Sequence, residues 1–262
     1  MKYKPVEFGK RLIITGDLDP VYNMLHGSGL SWEYKARWCL AYWYYYHVGI
    51  AAAIADYDDP NEYYGAMLEI AKQTGGKRGA ERRHFRGSKA VRTVNALSHI
   101  GTPEEIVRWI FKTQKYEECS KRVRSLPMCG TWIAWKICDM GERCLGYPVD
   151  FSSASLAMYR DPKQGAALLK YRDWKAPITP EEVKAVSDEI IRELCLFKAP
   201  PDDCRNINIQ ESETVLCKFK SYWKGHYYVG KDIHDIHEAI DTYSGVNYEA
   251  LKQAIPDEPE CE

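Results

Sequence analysis

The sequence predicts a mostly α-helical fold. Apolar residues recur at helical spacing through most of the 262 residues, two segments carry complete helix-start signatures, and very little alternates with the period of two that a strand requires. The exception lies near the start, where Arg11-Leu-Ile-Ile-Thr15 reads as a short strand. Ser31 then precedes a long apolar helix whose segment Trp38–Ala55 runs eighteen residues without Asp, Glu, Lys or Arg. Four Tyr and His47 fall inside it, and Lys35, Arg37 and Asp56 lie close by, so it is expected to be a buried central helix rather than a membrane span. Pro60-Asn-Glu opens a helix to about Thr74. Thr102-Pro-Glu-Glu105 and Thr179-Pro-Glu-Glu182 each combine an N-cap Thr, a Pro at the first helical position and a Glu placed to close a capping box. Further helices are expected near 88–99, 116–124, 131–144, 207–222 and 246–254. No long linker or internal repeat interrupts the chain, which is read as a single helical domain over 1–262.

Composition narrows the function classes. The net charge of −1 gives no whole-chain field for a polyanion, so any such attraction must come from local clustering. Nine Cys at irregular spacing with no Cys-x-x-Cys pair are expected to be reduced thiols, and neither they nor the Asp232-Ile-His-Asp-Ile-His237 run is assigned a metal. Tyr and Trp, 19 and 8 against 6 Phe, suit half-wet surfaces as well as cores.

The local clustering exists. Lys77–Arg92 holds seven cations against the single carboxylate Glu81, and Gly79 and Gly87 bracket Glu81-Arg-Arg-His-Phe-Arg86. Flexible backbone with grouped guanidinium groups is what bidentate phosphate binding needs, so Arg82, Arg83, His84, Arg86 and Lys89 form a candidate anion site, with Glu81 either neutralising an arginine or held as a catalytic carboxylate. A second basic stretch, Arg108–Arg124, leads into Leu126-Pro-Met-Cys-Gly130 and a helix starting at Thr131. A helix, a Gly-containing turn and a fresh helix N-terminus present unpaired N–H groups to a phosphate without reading sequence. Asp150 follows twenty residues after Gly130, behind Gly146-Tyr-Pro148.

This segment, 126–150, resembles the helix-hairpin-helix and Gly/Pro…Asp signature of the helix-hairpin-helix DNA glycosylase superfamily. The resemblance implies a glycosylase-like helical fold, a hairpin at about 116–144 that grips the DNA backbone, and Asp150 as catalytic carboxylate. Leu126, Met128, Cys129, Gly130, Thr131, Trp132 and Lys136 are the implied DNA contacts. Trp132 stands where the lyase members carry Lys, so Schiff-base chemistry is not implied.

A narrower resemblance covers most of the chain. Residues 33–49, 78–87, the hairpin, 149–153 and 208–232 together are similar to the phage amino acid:DNA transferases, also called α-glutamyl/putrescinyl-thymine pyrophosphorylases. Membership implies a transferase that moves an amino acid or polyamine, through its amine, onto the 5-methylene of pyrophosphorylated 5-hydroxymethyluracil in double-stranded DNA, releasing pyrophosphate. It implies action after a DNA base kinase, in the host-cell cytoplasm, with no membrane partner and no assigned cofactor. The cation cluster would then hold the pyrophosphate, while Asp150, with Glu81 second, would take the amine proton. A monofunctional glycosylase and a non-catalytic DNA-backbone-binding module are the competing expectations.

Overall fold

The computed structural model describes residues 3–73 and 82–259. Among them are fourteen α-helices and no strand, as the apolar spacing predicts. They are α1 (Pro5–Ile14), α2 (Pro20–Gly27), α3 (Trp32–Tyr45), α4 (Val48–Ala55), α5 (Pro60–Lys72), α6 (Gly87–Ile100), α7 (Pro103–Ile110), α8 (Tyr116–Ser125) and α9 (Thr131–Leu145). After a short 3-10 turn at Leu156–Met158 come α10 (Arg160–Tyr171), α11 (Pro180–Glu193), α12 (Ile209–Trp223), α13 (Lys231–Ile240) and α14 (Tyr248–Gln253).

Both Thr-Pro-Glu-Glu signatures form complete capping boxes at the starts of α7 and α11. Two expectations fail for identifiable reasons. The run 11–15 is the end of α1, because Pro5 starts a helix whose Phe8 and Leu12 share one buried face. The expected long helix through Trp38–Ala55 breaks at Tyr46, which adopts a left-handed backbone with φ 51°. His47 then caps the new helix α4, its Nδ1 accepting from the Ile50 N–H at 3.3 Å. Helices α2 and α10 lie outside the helices expected from the sequence.

The chain divides into two compact units. One comprises residues 1–23, 151–235 and 255–262, and the other residues 24–150 and 236–254. In the first, α12 packs against α1, α10 and α11. Buried Asp17 accepts hydrogen bonds from the Tyr227 hydroxyl at 2.5 Å and the Gly230 N–H at 2.6 Å. The Lys218 ammonium donates to the Asp17 carbonyl and pairs with Asp232 at 2.7 Å.

The second unit is organised around α3, which packs against α4, α7 and α9. Trp38, Trp43, Tyr44 and Tyr45 are fully buried, so no single face of α3 is reserved for solvent. The abundance of Tyr becomes intelligible here, since buried phenols donate to main-chain carbonyls of neighbouring helices. Tyr45 donates to the Met67 carbonyl at 2.5 Å, Tyr63 to Arg37 at 2.9 Å and Tyr64 to Gly101 at 2.7 Å. No described helix is long and apolar enough to cross a membrane.

Candidate functional site

Every site residue expected from the sequence and described by the structure lies in the second unit. Glu81 falls outside the described residues. The basic loop enters at Arg82, which turns inward and is only 9% exposed. Its Nε donates to the Trp43 carbonyl at 2.7 Å and its Nη1 to the Met128 carbonyl at 3.0 Å, with the guanidinium 5.4 Å from the Tyr44 ring centre. The Trp43 carbonyl lies in the last turn of α3, whose carbonyls lose their helical partners where the backbone breaks at Tyr46. Arg82 therefore ties the end of α3 to the turn that precedes α9.

Phe85 provides the second anchor, buried 5.1 Å from the Tyr44 ring and 5.0 Å from the Tyr45 ring. With Arg82 and Phe85 facing in, Arg83, His84 and Arg86 face out, and Lys89 is exposed on the first turn of α6. Gly87 opens that helix with φ +65°, a backbone that disfavours any side chain. The N-cap Arg86 makes no capping bond through its side chain. The expected anion cluster thus divides into one internal guanidinium and four exposed groups beside a helix N-terminus.

Helices α8 and α9 pack together and are joined by the turn 126–130. Leu126 and Cys129 point into the core, and burial pushes the Cys129 thiol up from its ordinary range. The Tyr44 hydroxyl donates to the Pro127 carbonyl at 3.1 Å and receives the Cys129 thiol at 3.4 Å. These two hairpin residues hold the turn in place, so they do not offer their side chains to DNA. The sequence suggests that Gly130 frees the backbone, yet the left-handed residue is Met128, at φ 57°. Gly130 has φ −95°, and a Cβ built there meets nothing within 4 Å. It leaves open space before the first N–H groups of α9. Thr131 and Trp132 are half-buried on that first turn, and Lys136 pairs with buried Asp139 at 3.8 Å.

Trp132 ends an aromatic series that begins in the core. Trp38 stacks on Tyr42 and Tyr42 on Tyr46, each at 4.7 Å, and the half-exposed Tyr46 ring lies 5.5 Å from Trp132. The helix break at Tyr46 and the Trp43 carbonyl it frees are site features the sequence reading missed, since nothing in 42–48 carries a Gly or Pro break signal.

Asp150 is exposed, and its main chain is pinned at the start of α8. Its N–H donates to the Gln114 carbonyl at 2.6 Å, and its carbonyl accepts from Tyr116 at 3.2 Å. The approach is set by Gly141, where a Cβ would lie 2.0 Å from the Phe111 ring, and by Phe111 stacking on Tyr147 at 4.6 Å. The hairpin turn leaves the other end of α8. Ten helical residues span about 15 Å, so Asp150 and Gly130 are separated by the length of that helix.

Other clusters are internally satisfied. In 232–237, Asp232 pairs with Lys218, Asp235 with Lys231 at 2.5 Å, and His234 with Glu258 at 3.1 Å. The eight described cysteines are free thiols.

A helical unit that anchors an exposed cation loop beside uncapped helix starts has the makings of a phosphate-handling, nucleic-acid-directed protein. Comparison with known proteins makes this specific. Residues 15–228 match the family described as amino acid:DNA transferase. The chain is 34% identical to the glycinyltransferase of Pseudomonas phage PaMx11, over 96% of this chain and 95% of that protein. It is 28% identical to the putrescinyltransferase of Delftia phage PhiW-14, over 92% of this chain and 79% of that one. The chain belongs to the amino acid:DNA transferase family and is an enzyme of that transferase class.

Proposed function

We propose that the protein transfers an amino acid or a polyamine, through its amine, onto the 5-methylene of pyrophosphorylated 5-hydroxymethyluracil in double-stranded DNA, with release of pyrophosphate. The observation that carries this reading is the Arg82 tie. It holds the start of the exposed segment with Arg83, His84, Arg86 and Lys89 against the turn before Gly130, which supports reading the cations and the hairpin as one phosphate-handling face.

In the proposed step the amine nitrogen bonds to the 5-methylene carbon as the bond from that carbon to the pyrophosphate oxygen breaks, and the electron pair leaves with pyrophosphate. The exposed cations stabilise the charge that gathers on this leaving group. The amine arrives as ammonium at neutral pH and must lose one proton before its nitrogen can attack, and the adduct forms as a protonated secondary amine. Asp150 is the proposed acceptor, and Glu81 the second candidate. Phosphates near the hairpin would meet the open N-terminus of α9, where main-chain donors bind without sequence preference. The substrate requires a preceding DNA base kinase, and a phage enzyme would work in the host cytoplasm. No cofactor is invoked.

The test is incubation of duplex DNA carrying the pyrophosphorylated base with glycine, putrescine and other amines, followed by mass spectrometry of the nucleosides. The greater similarity to a glycinyltransferase makes glycine the first amine to try. An amine-dependent nucleoside adduct and released pyrophosphate are expected. Abasic sites formed without any amine would overturn the transfer in favour of a glycosylase.

A further inference from the structure

The first unit brings two lysines to one indole ring. Trp174 follows α10, and its ring has the Lys224 ammonium 4.6 Å and the Lys175 ammonium 5.1 Å from its centre. Lys224 caps the end of α12, so two segments distant in sequence bring positive charge to one indole. Among the described residues neither ammonium is paired with a carboxylate. Five of the unit's lysines are so paired, Lys170 with Glu182, Lys184 with Asp188, Lys218 with Asp232, Lys220 with Asp161 and Lys231 with Asp235; what distinguishes Lys175 and Lys224 is the ring they share. Two like charges on one ring repel each other, and the ring quadrupole offsets only part of that repulsion. An external anion would remove the rest.

The surroundings identify the kind of anion. Arg172 is exposed at the left-handed end of α10, and His226 is exposed two residues beyond Lys224. Asp173 is the exposed acid between Arg172 and Trp174, and its Oδ1 already accepts from the Lys175 N–H at 2.9 Å. Tyr171, Trp223 and Tyr228 in the same chain segments are exposed by 42%, 37% and 56%. Cations interleaved with exposed aromatic rings match the chemistry of a nucleic-acid backbone and its sugars rather than that of a small anion, which would need a closed pocket.

We propose that the Lys175–Trp174–Lys224 cluster is a second DNA-backbone contact, carried by a different unit from the hairpin. It acts on the phosphates of ordinary duplex, and it rests on DNA being the family's substrate without depending on the pyrophosphate chemistry. The experiment is duplex binding at a series of salt concentrations, using plain-thymine DNA, the full-length protein and the Lys175→Ala/Lys224→Ala double variant. The log–log salt dependence should become shallower by about 0.9 for each phosphate that is no longer neutralised, with affinity falling several-fold at moderate salt. Lys175→Arg/Lys224→Arg should retain the wild-type slope. Both pairs are surface changes, and unchanged thermal unfolding verifies the fold. An unchanged slope in the alanine variant overturns the proposal, even where amine transfer to modified DNA proceeds normally. A shallower slope in the alanine variant of a protein that yields no amine adduct would leave this contact standing and the transfer reading refuted.

Discussion

The Arg82 guanidinium spans the Trp43 and Met128 carbonyls, at 2.7 and 3.0 Å, and so joins the two left-handed turns of the site, Tyr46 and Met128. Its role is internal, unlike that of its exposed neighbours. Arg82→Ala leaves two carbonyls without their donor in a buried setting, and an expected loss of about 2–4 kcal/mol follows. Arg82→Lys should recover only part, because an ammonium lacks the planar fork that reaches both oxygens. Denaturant unfolding of the three proteins measures the difference, and wild-type stability in the alanine variant would rule out the tie.

Arg83→Ala and Arg86→Ala should behave in the opposite way. Both residues are exposed, so stability should stay within about 0.5 kcal/mol of wild type. Amine transfer should slow by roughly tenfold to a hundredfold per residue if each stabilises the leaving group. Free pyrophosphate should inhibit the native enzyme and inhibit these variants less. Equal inhibition of all proteins would locate the pyrophosphate elsewhere.

Gly130→Glu separates folding from binding. The backbone is ordinary and the Cβ position open, and a carboxylate at a helix N-terminus is favourable for the helix itself. The variant should therefore unfold near the wild-type midpoint. Its affinity for every duplex should nonetheless fall, because the new charge occupies the space before the α9 N–H groups and repels phosphate. Undiminished DNA binding would remove the hairpin from the interface.

What the sequence makes legible follows from how local each signal is. Thr102 and Thr179 announce their helices because a capping box is complete within four residues. The break at Tyr46 is illegible because its support comes from elsewhere: His47 caps one side, while Arg82, 36 positions beyond Tyr46, takes a carbonyl on the other. The basic run shows where charge accumulates, but not that Arg82 and Phe85 turn inward while Arg83, His84 and Arg86 turn out. That alternation depends on the Tyr44 and Tyr45 rings. The spacing from Gly130 to Asp150 marks both residues as notable, whereas the pairing of Asp150 with Gln114 and Tyr116 emerges only once the chain has folded back.

Lys218 gives a stability prediction with a pH signature. Burial lowers its pKa, but Asp232, Asp17 and Asp19 outweigh burial and hold it above 10.5. A raised lysine stabilises fully below its unfolded value, and that contribution is lost as pH climbs through the folded one. Burial also raises the Asp17 carboxyl above 3.8, against the opposing pull of Lys218, Tyr227 and Gly230. The folded state therefore holds the Asp17 proton more tightly, and stability falls as pH rises through that window. Lys218→Met should lower stability by about 3–5 kcal/mol at neutral pH by leaving the acids uncompensated. The deficit should shrink on acidification as Asp17 takes up its proton. Unfolding midpoints at several pH values would expose a pH-independent deficit, which would point to weakened packing instead.

Asp150→Asn tests the proposed proton acceptor. The Asp150 hydrogen bonds to Gln114 and Tyr116 use main-chain atoms, so the near-isosteric amide should keep both. No helix begins directly after Asp150; the next 3-10 helix starts at Leu156 and the next α-helix at Arg160, which removes a helix-capping role as the reason for an acid there. If the carboxylate accepts the amine proton, Asn should lower turnover by roughly a hundredfold or more with little change in DNA affinity. Raising the pH should narrow the gap, since more amine is then unprotonated without help from a base. Transfer rates across pH for the two proteins decide the matter. Equal rates at neutral pH would pass the role to Glu81, whose Gln variant should then show the pH-dependent defect.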